Sequence, residues 1–149
     1  LIYRSFVLYS MVIITFIYFN DERIMSLIYG SDYAISYNVL FILSIGILFE
    51  SMAKINGRWI ILKNFQIISL YRTLIGAILN ILLNLFFIPK YGIEGAAYST
   101  LITLFFSVFF FYIFHNKTRN IFMIQLKSIL TFYNIKNIKQ VFVLNRNNK

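Results

Sequence analysis

The sequence predicts an all-α integral membrane protein, and three observations carry the prediction. Hydrophobic residues make up 60% of the 149 residues, whereas charged residues make up only 13%. A soluble globule needs more polar residues than this to cover its surface. The mean hydropathy is +0.75, and the apolar residues form long runs. Runs of about 20 apolar residues cross a bilayer as helices, because a helix satisfies its own backbone hydrogen bonds.

The distribution of the positive charge argues against a nucleic-acid partner. The net charge is +9, and the cations fall between the apolar runs and after the last one. Membrane proteins show this pattern in their cytoplasmic loops, whereas a nucleic-acid interface gathers cations on one wet face. The chain has no cysteine, so a disulfide framework and a thiolate metal site are excluded. We expect a lipid bilayer as partner, and no metal, cofactor or nucleic acid.

Residues 1–116 contain four apolar stretches that are long enough to span a membrane. Residues 20–23, which are polar, end the first stretch, and the pair Lys63-Asn64 follows the second. Pro89 is predicted to end the third stretch, because proline cannot continue a helix. The second stretch has an alternative end near Ile55, before Asn56-Gly57. The four predicted spans are approximately residues 1–19, 35–62, 65–88 and 94–114.

The basic tail, residues 117–149, is not a fifth span, because Gln125, Lys127 and Ser128 interrupt its apolar residues. An amphipathic helix at about residues 119–133 is predicted to lie in the cytoplasmic interface, attracted by anionic lipids. A disordered basic end is the alternative from about Asn134 onward. His115 is expected to be an interfacial residue, because no second metal-binding side chain is placed beside it.

The Lys and Arg residues between the spans predict their orientation. The first connector has one Arg and three acidic residues, whereas Lys54, Arg58 and Lys63 cluster at the second turn. Lys90 is the only cation in the third connector, and many follow the fourth span. The first and third connectors are therefore predicted to face outward, with the second turn and the C-terminus in the cytoplasm. Because Leu1 already lies in an apolar run, we expect the C-terminal part of a longer protein.

The third span has one polar side. Arg72, Gly76, Asn80 and Asn84 recur at intervals of four and therefore share one side of a helix, opposite a side made of Leu and Ile. The apolar side suits lipid, and the polar side must meet protein or a water-filled cavity. Small residues at the same spacing predict a packing seam in the fourth span, because they let helices approach closely. They are Gly95, Ser99, Thr103 and Ser107.

Ionisable residues within the second and third spans have two interpretations. Glu50 lies near the middle of its span with Lys54 one turn later, and an unpaired carboxylate at that depth must pair or be protonated. An arginine within the bilayer costs about 2.5–3.5 kcal/mol on the insertion scale. Either these groups and Arg72 line a cationic cavity for an anionic substrate, or Glu50 pairs with Lys54 while Arg72 snorkels to the headgroups.

Residues 72–103 resemble the C-terminal half of polysaccharide biosynthesis flippases. These are the Wzx-type O-antigen translocases of the multidrug, oligosaccharidyl-lipid and polysaccharide exporter superfamily. The likeness rests on Asn80 and Asn84, then on the run IPKYGI at 88–93, then on Gly95-Ala96-Ala97. Residues 27–33 are similar to the family's loop before the next helix. Residues 117–130 are similar to the tail after its last span, so the resemblance covers about residues 1–130.

The resemblance implies that the four spans are the last four of twelve helices, within the C-terminal lobe. It also implies translocation of undecaprenyl-diphosphate-linked O-antigen or other polysaccharide units across the bacterial inner membrane. The missing N-terminal helices would then be partners, and this part alone should not transport. The substrate-cavity candidates are Arg72, Lys54, Arg58, Asn80 and Asn84, with Glu50 as proton or ion-pair candidate. The helix turn and packing are assigned to Pro89, Gly92, Gly95, Ala96, Ser99 and Thr103.

Three other functions stay open. An ion-coupled drug or lipid exporter of the same superfamily would depend on Glu50 instead of Arg72. A membrane enzyme such as an O-antigen polymerase is disfavoured, because no nucleophile–base pair, metal-ligand cluster or phosphate-binding glycine loop occurs. We therefore expect no enzyme. A structural or accessory membrane subunit is disfavoured by the start at Leu1.

Overall fold

The computed structural model describes residues 2–30, 37–114 and 118–130. In these ranges the regular structure is all helical: α1 (Ile2–Tyr29), α2 (Tyr37–Leu62), α3 (Gln66–Val108), a short 3₁₀ helix (Phe110–Ile113) and α4 (Arg119–Leu130). Three segments are long and apolar enough to cross a membrane, namely α1, α2 and Gln66–Ile113. The prediction of a helical, multi-pass membrane protein is confirmed. The predictions for His115, Lys117 and residues 131–149 lie outside the described residues.

Helix α1 continues past the polar residues that were expected to end the first span. It runs through residues 20–23, where Asn20 Nδ2 donates to the Phe16 carbonyl at 2.9 Å. No proline or glycine interrupts the chain until Gly30, whose φ of +93° is not helical. Polar side chains end a membrane span but do not end a helix, because a helix can extend into water. The membrane boundary along α1 stays a prediction.

Helix α3 folds back on itself at Gly92, the position with φ 57° and ψ −132°. A straight helix would place Gly76 and Ser107 about 46 Å apart. Instead, a Cβ atom at Gly76 would lie 2.6 Å from Ser107 Oγ. Asn80 Nδ2 also reaches Thr103 Oγ1 at 3.4 Å. Helix α3 is therefore a hairpin with a first arm, residues 66–91, and a second arm, residues 93–108.

Pro89 does not end the third helix as expected, and the helix continues as far as the predicted turn at Gly92. Pro89 lies inside α3. Proline removes one backbone donor and crowds the carbonyl four residues earlier, which can kink a helix without ending it. The backbone angles of Gly92 are, in contrast, available essentially to glycine alone. Whether the hairpin makes two crossings, and hence whether the chain makes four, stays a prediction.

The helices pack with alternating direction. Helix α1 is antiparallel to α2, because Tyr3 contacts Asn56 near one end and Tyr18 contacts Phe41 near the other. The second arm of α3 is parallel to α2, since Phe49 packs on Phe105 and Asn38 hydrogen-bonds Glu94. One end of the bundle therefore combines the start of α1, the end of α2 and both ends of the hairpin. We call it the closed end, and it is the end predicted to face the cytoplasm.

Helix α4 docks on the closed end. Its residues Ile121, Gln125 and Ser128 are buried, and Phe122 and Ile129 pack against a core of α1, α2 and α3 residues. The amphipathic helix predicted at about residues 119–133 is thus present over Arg119–Leu130. Its buried side meets protein, whereas an interfacial position was expected for the whole helix. The sequence pattern showed which side is apolar but not what covers it.

Cysteine labelling tests the predicted orientation, since the chain has no native cysteine. Lys63, Lys90 and Arg119 are exposed. Lys63 follows α2, Lys90 lies in the last turn of the first arm, and Arg119 begins α4. With an impermeant maleimide on intact cells, we expect Lys90→Cys to react. Lys63→Cys and Arg119→Cys should react only after permeabilisation. Labelling of Lys90→Cys and Arg119→Cys from the same side would contradict the four crossings.

Candidate functional site

The candidate site is a cleft of about 400 Å³ between the two arms of the hairpin, closed on one side by α2. Arg72 and Asn80 line it from the first arm, Thr103 and Ser107 line it from the second, and Ala53 contributes from α2. The spacing of four puts these side chains on facing sides of the arms. Small and hydroxyl-bearing residues leave space and polar groups at the centre of the cleft. Its lining is mostly apolar with a few polar groups, a composition common in ligand sites.

Arg72 is the only charged residue among the described residues that line this cleft. Its Nη1 donates to the Tyr112 hydroxyl at 3.0 Å. A guanidinium has five N–H donors in a rigid fork, so one bond to Tyr112 leaves donors for an anion in the cleft. A guanidinium with further donors is chemically suited to a phosphate or carboxylate, with which it forms paired, charge-assisted hydrogen bonds.

The two predicted asparagines form a chain of hydrogen bonds that joins the arms. Asn84 Nδ2 donates to Asn80 Oδ1 at 3.0 Å, and Asn80 Nδ2 donates to Thr103 at 3.4 Å. The polar side of this span was expected to meet protein or a water-filled cavity, and the second arm lies beside Asn80. The Asn84 Oδ1 atom is buried without a partner among the described residues. Only Asn80 of the two lines the cleft.

Lys54, Arg58 and Glu50 lie outside this cleft. They are exposed on a different side of α2. Glu50 and Lys54 line a groove of about 750 Å³ between α1 and α2. Lys54 and Arg58 line a neighbouring groove of about 350 Å³ beside Trp59. The structure therefore separates the predicted ionisable residues into two groups, and it does not bring the three α2 residues together with Arg72.

Of the residues assigned to packing, Gly95 and Thr103 lie at the contact between the arms. Gly95 touches the first arm so closely that a Cβ atom would lie 2.3 Å from the Phe87 carbonyl oxygen. Thr103 accepts the bond from Asn80 across the contact. The hydroxyl of Ser99 instead donates to the Gly95 carbonyl in its own helix at 2.8 Å. Ala96 accepts a similar bond from Thr100 at 2.9 Å. Hydroxyls on the seam thus bond both across and along the helix.

A buried polar cluster near Arg72 was missed by the sequence analysis. Asn56 has 0% exposure, and its Oδ1 accepts a hydrogen bond from the Tyr3 hydroxyl. Tyr112 is also fully buried and lies beside Asn56. Asn56-Gly57 had been interpreted as a possible end of a span, because both residues are common in turns. A polar residue inside an otherwise apolar helix was the available signal for a buried contact.

Comparison with known proteins finds one relevant relative. Over 82 residues the chain is 37% identical to the "Probable low-salt glycan biosynthesis flippase Agl15" of Haloferax volcanii. Part of this chain is similar to a flippase. The match covers 55% of this chain and 17% of that protein, so the chain spans a small part of its relative. No family model matches the sequence, and no solved structure gives a significant match.

Proposed function

We propose that this chain is part of a flippase that moves a lipid-linked glycan across a membrane. The observation that carries the proposal is the 37% identity over 82 residues to a glycan biosynthesis flippase. The Arg72 cleft supports it independently, because it offers one cation and several polar groups inside an apolar bundle. A transporter is accordingly favoured over an enzyme of glycan synthesis.

The finer proposal is a Wzx-type protein whose substrate is an undecaprenyl-diphosphate-linked polysaccharide unit. The protein would lie in a bacterial inner membrane, with its C-terminus in the cytoplasm. It rests on the resemblance of the run at 88–93 and of Asn80, Asn84 and Gly95 to that family. The polyprenyl chain of such a substrate is soluble in lipid. The diphosphate and the sugar are the groups that are costly to move through the membrane.

In the proposed mechanism, Arg72 binds the diphosphate while polar groups beside it bind the sugar. An arginine fork matches two phosphate oxygens, and such charge-assisted bonds replace the water that the anion loses. The hydroxyls of Thr103 and Ser107 line the same cleft and offer donors and acceptors to a sugar. Movement between leaflets would be conformational, with the helices around the site rearranged and no covalent bond made or broken.

A second candidate, an ion-coupled exporter of drugs or lipids, is favoured by one observation. Glu50 is exposed in the α1–α2 groove, apart from Arg72, and a carboxylate within a membrane span is a common proton or sodium site. This function would require Glu50 and would leave Arg72 dispensable.

Reconstitution of the full-length protein in liposomes separates the two functions. We expect transfer of a fluorescent polyprenyl-diphosphate glycan between leaflets, with the glycan recovered unchanged. Glu50→Gln should keep most of that rate, because the carboxylate lies outside the Arg72 cleft. Glu22→Gln, an exposed carboxylate of α1, is the matched control. The exporter would be favoured over the flippase if the protein exported a cationic dye and transferred no glycan. Glu50→Gln should then abolish the export.

A further inference from the structure

Tyr112 joins the Arg72 cleft to α4. Its hydroxyl accepts the Arg72 hydrogen bond, and its ring is buried in a cluster with Ile60 of α2 and Ile121 of α4. Its backbone carbonyl accepts a hydrogen bond from Thr118, the residue before α4, at 3.3 Å. The position of the Tyr112 hydroxyl therefore depends on α4 being docked.

The Arg72 side chain needs such a fixed partner. An arginine has a long, flexible stem, and the direction of its planar fork decides whether two N–H groups meet one anion. Among the described residues, the Arg72 guanidinium donates a hydrogen bond only to the Tyr112 hydroxyl. Tyr112 is thus a positioning residue for Arg72, because it acts on an anion only through the guanidinium.

Gln125 weakens the docking of α4. Its side chain is 0% exposed, and neither its Nε2 nor its Oε1 has a hydrogen-bond partner among the described residues. A buried amide without partners is destabilising, since the same groups would be hydrogen-bonded in water. Its neighbours on the docked side, Ile121 and Phe122, contribute apolar contacts that favour docking. The docked state therefore combines favourable apolar packing with an unsatisfied amide.

The side of α4 opposite Gln125 is suited to bind a membrane interface when the helix is released. Met123, Ile124 and Leu130 are exposed apolar residues, with exposed fractions of 58%, 50% and 63%. Lys127 and Arg119 are exposed on the same helix. An apolar side flanked by cations binds the interface of an anionic membrane. Release into the interface would hydrate Gln125 and place Met123, Ile124 and Leu130 among the acyl chains.

We infer that α4 is a releasable clamp on Tyr112. Docked α4 holds the Tyr112 hydroxyl against Arg72 and so orients the guanidinium in the cleft. Released α4 frees Tyr112 and lets Arg72 turn away, and Gln125 sets the balance between the two states. The consequence for transport rests on the proposed function, whereas the docking equilibrium does not.

Labelling of a single cysteine measures the docking equilibrium. Ser128 is 8% exposed, and within the described part of the chain its hydroxyl donates only to the Ile124 carbonyl of its own helix, so Ser128→Cys is a mild reporter. It is placed in the full-length protein with no other cysteine, reconstituted in liposomes and treated with a permeant maleimide. Gln125→Met should slow labelling about tenfold, because it removes an unpaired buried amide. Ile121→Ala should speed labelling about tenfold or more, because it removes apolar packing from the docked side.

Asn120→Met is the matched control, since Asn120 is an exposed amide on the same helix. It should leave the labelling rate unchanged. Equal labelling rates in the Gln125→Met, Ile121→Ala and control proteins would overturn the clamp. Even if Ile121→Ala does not fold, Gln125→Met still tests the clamp, because the methionine is expected to stabilise the docked state.

Transport kinetics test the role of Tyr112. Tyr112→Phe keeps the ring in its cluster and removes the hydroxyl, so it should raise the KM for the lipid-linked glycan several-fold. It should leave the Ser128→Cys labelling rate unchanged. An unchanged KM would overturn the positioning role of Tyr112. A failure of the proposed function looks different: the full-length protein would then transfer no glycan between leaflets, while the labelling differences persist.

Discussion

Gly95→Ala is expected to separate the two arms of the hairpin and to lower the thermal stability of the protein sharply. A Cβ atom at this position would lie 2.3 Å from the Phe87 carbonyl oxygen and 2.6 Å from its carbon. Both are backbone atoms of the first arm, which no side-chain rotation can move. Because the arms must part, we expect a loss of about 3 kcal/mol or more in the free energy of unfolding.

Two other glycines provide graded controls. A Cβ atom at Gly57 meets nothing within 4 Å, and alanine favours a helix over glycine, so Gly57→Ala should be neutral or slightly stabilising. A Cβ atom at Gly76 would meet the side chain of Ser107 at 2.6 Å. Since that side chain can rotate, Gly76→Ala should fall between the other two.

Thermal unfolding of the purified protein in detergent, followed by size-exclusion chromatography, measures the order of the three variants. The expected midpoints are highest for Gly57→Ala, intermediate for Gly76→Ala and lowest for Gly95→Ala. Equal midpoints for Gly57→Ala and Gly95→Ala would contradict the close approach of the arms at Phe87.

Arg72→Gln is expected to reduce glycan transport by the full-length protein roughly 10- to 100-fold, the usual loss for a charge-assisted hydrogen bond. Glutamine keeps a polar side chain of similar reach but removes the charge and the fork. Arg72→Lys keeps the charge without the fork and should show a smaller loss. Initial rates of leaflet transfer in liposomes, with protein amounts matched, give the comparison.

Arg23→Gln is the matched control, because Arg23 is an exposed arginine near the opposite end of the bundle. It should leave transport unchanged. Arg58→Gln tests the separation of the two groups of charges. A loss equal to that of Arg72→Gln would mean that the α1–α2 groove and the hairpin cleft open onto one cavity in the whole protein. Normal transport by Arg72→Gln would remove the basis for a diphosphate site at this residue.

Local features of the site were predictable from the sequence. The interval of four among Arg72, Gly76 and Asn80 places them on one side of a helix whatever surrounds it. The small residues of the second arm, such as Thr103, predicted a close contact, and the structure shows that contact with the first arm. Gly92 was assigned to a turn, and the chain reverses there.

The neighbours of each helix side were not predictable in the same way. One of the two interpretations placed Glu50 and Lys54 in a cavity with Arg72, yet they lie on the α1 side of α2. Periodicity shows which residues share a side, but contacts with other helices decide which partner that side meets. The Tyr3–Asn56 contact joins residues 53 positions apart, a separation at which no local pattern operates.

The sequence by itself therefore determined a helical membrane protein with a polar side on the third predicted span. Composition and periodicity were the evidence for this prediction, and both are properties of the local sequence. The tertiary structure alone decided that Arg72 bonds Tyr112, that Lys54 and Arg58 face another groove, and that α4 docks on the closed end. These depend on how whole helices pack, because burial and hydrogen bonding between distant residues arise only when the helices meet.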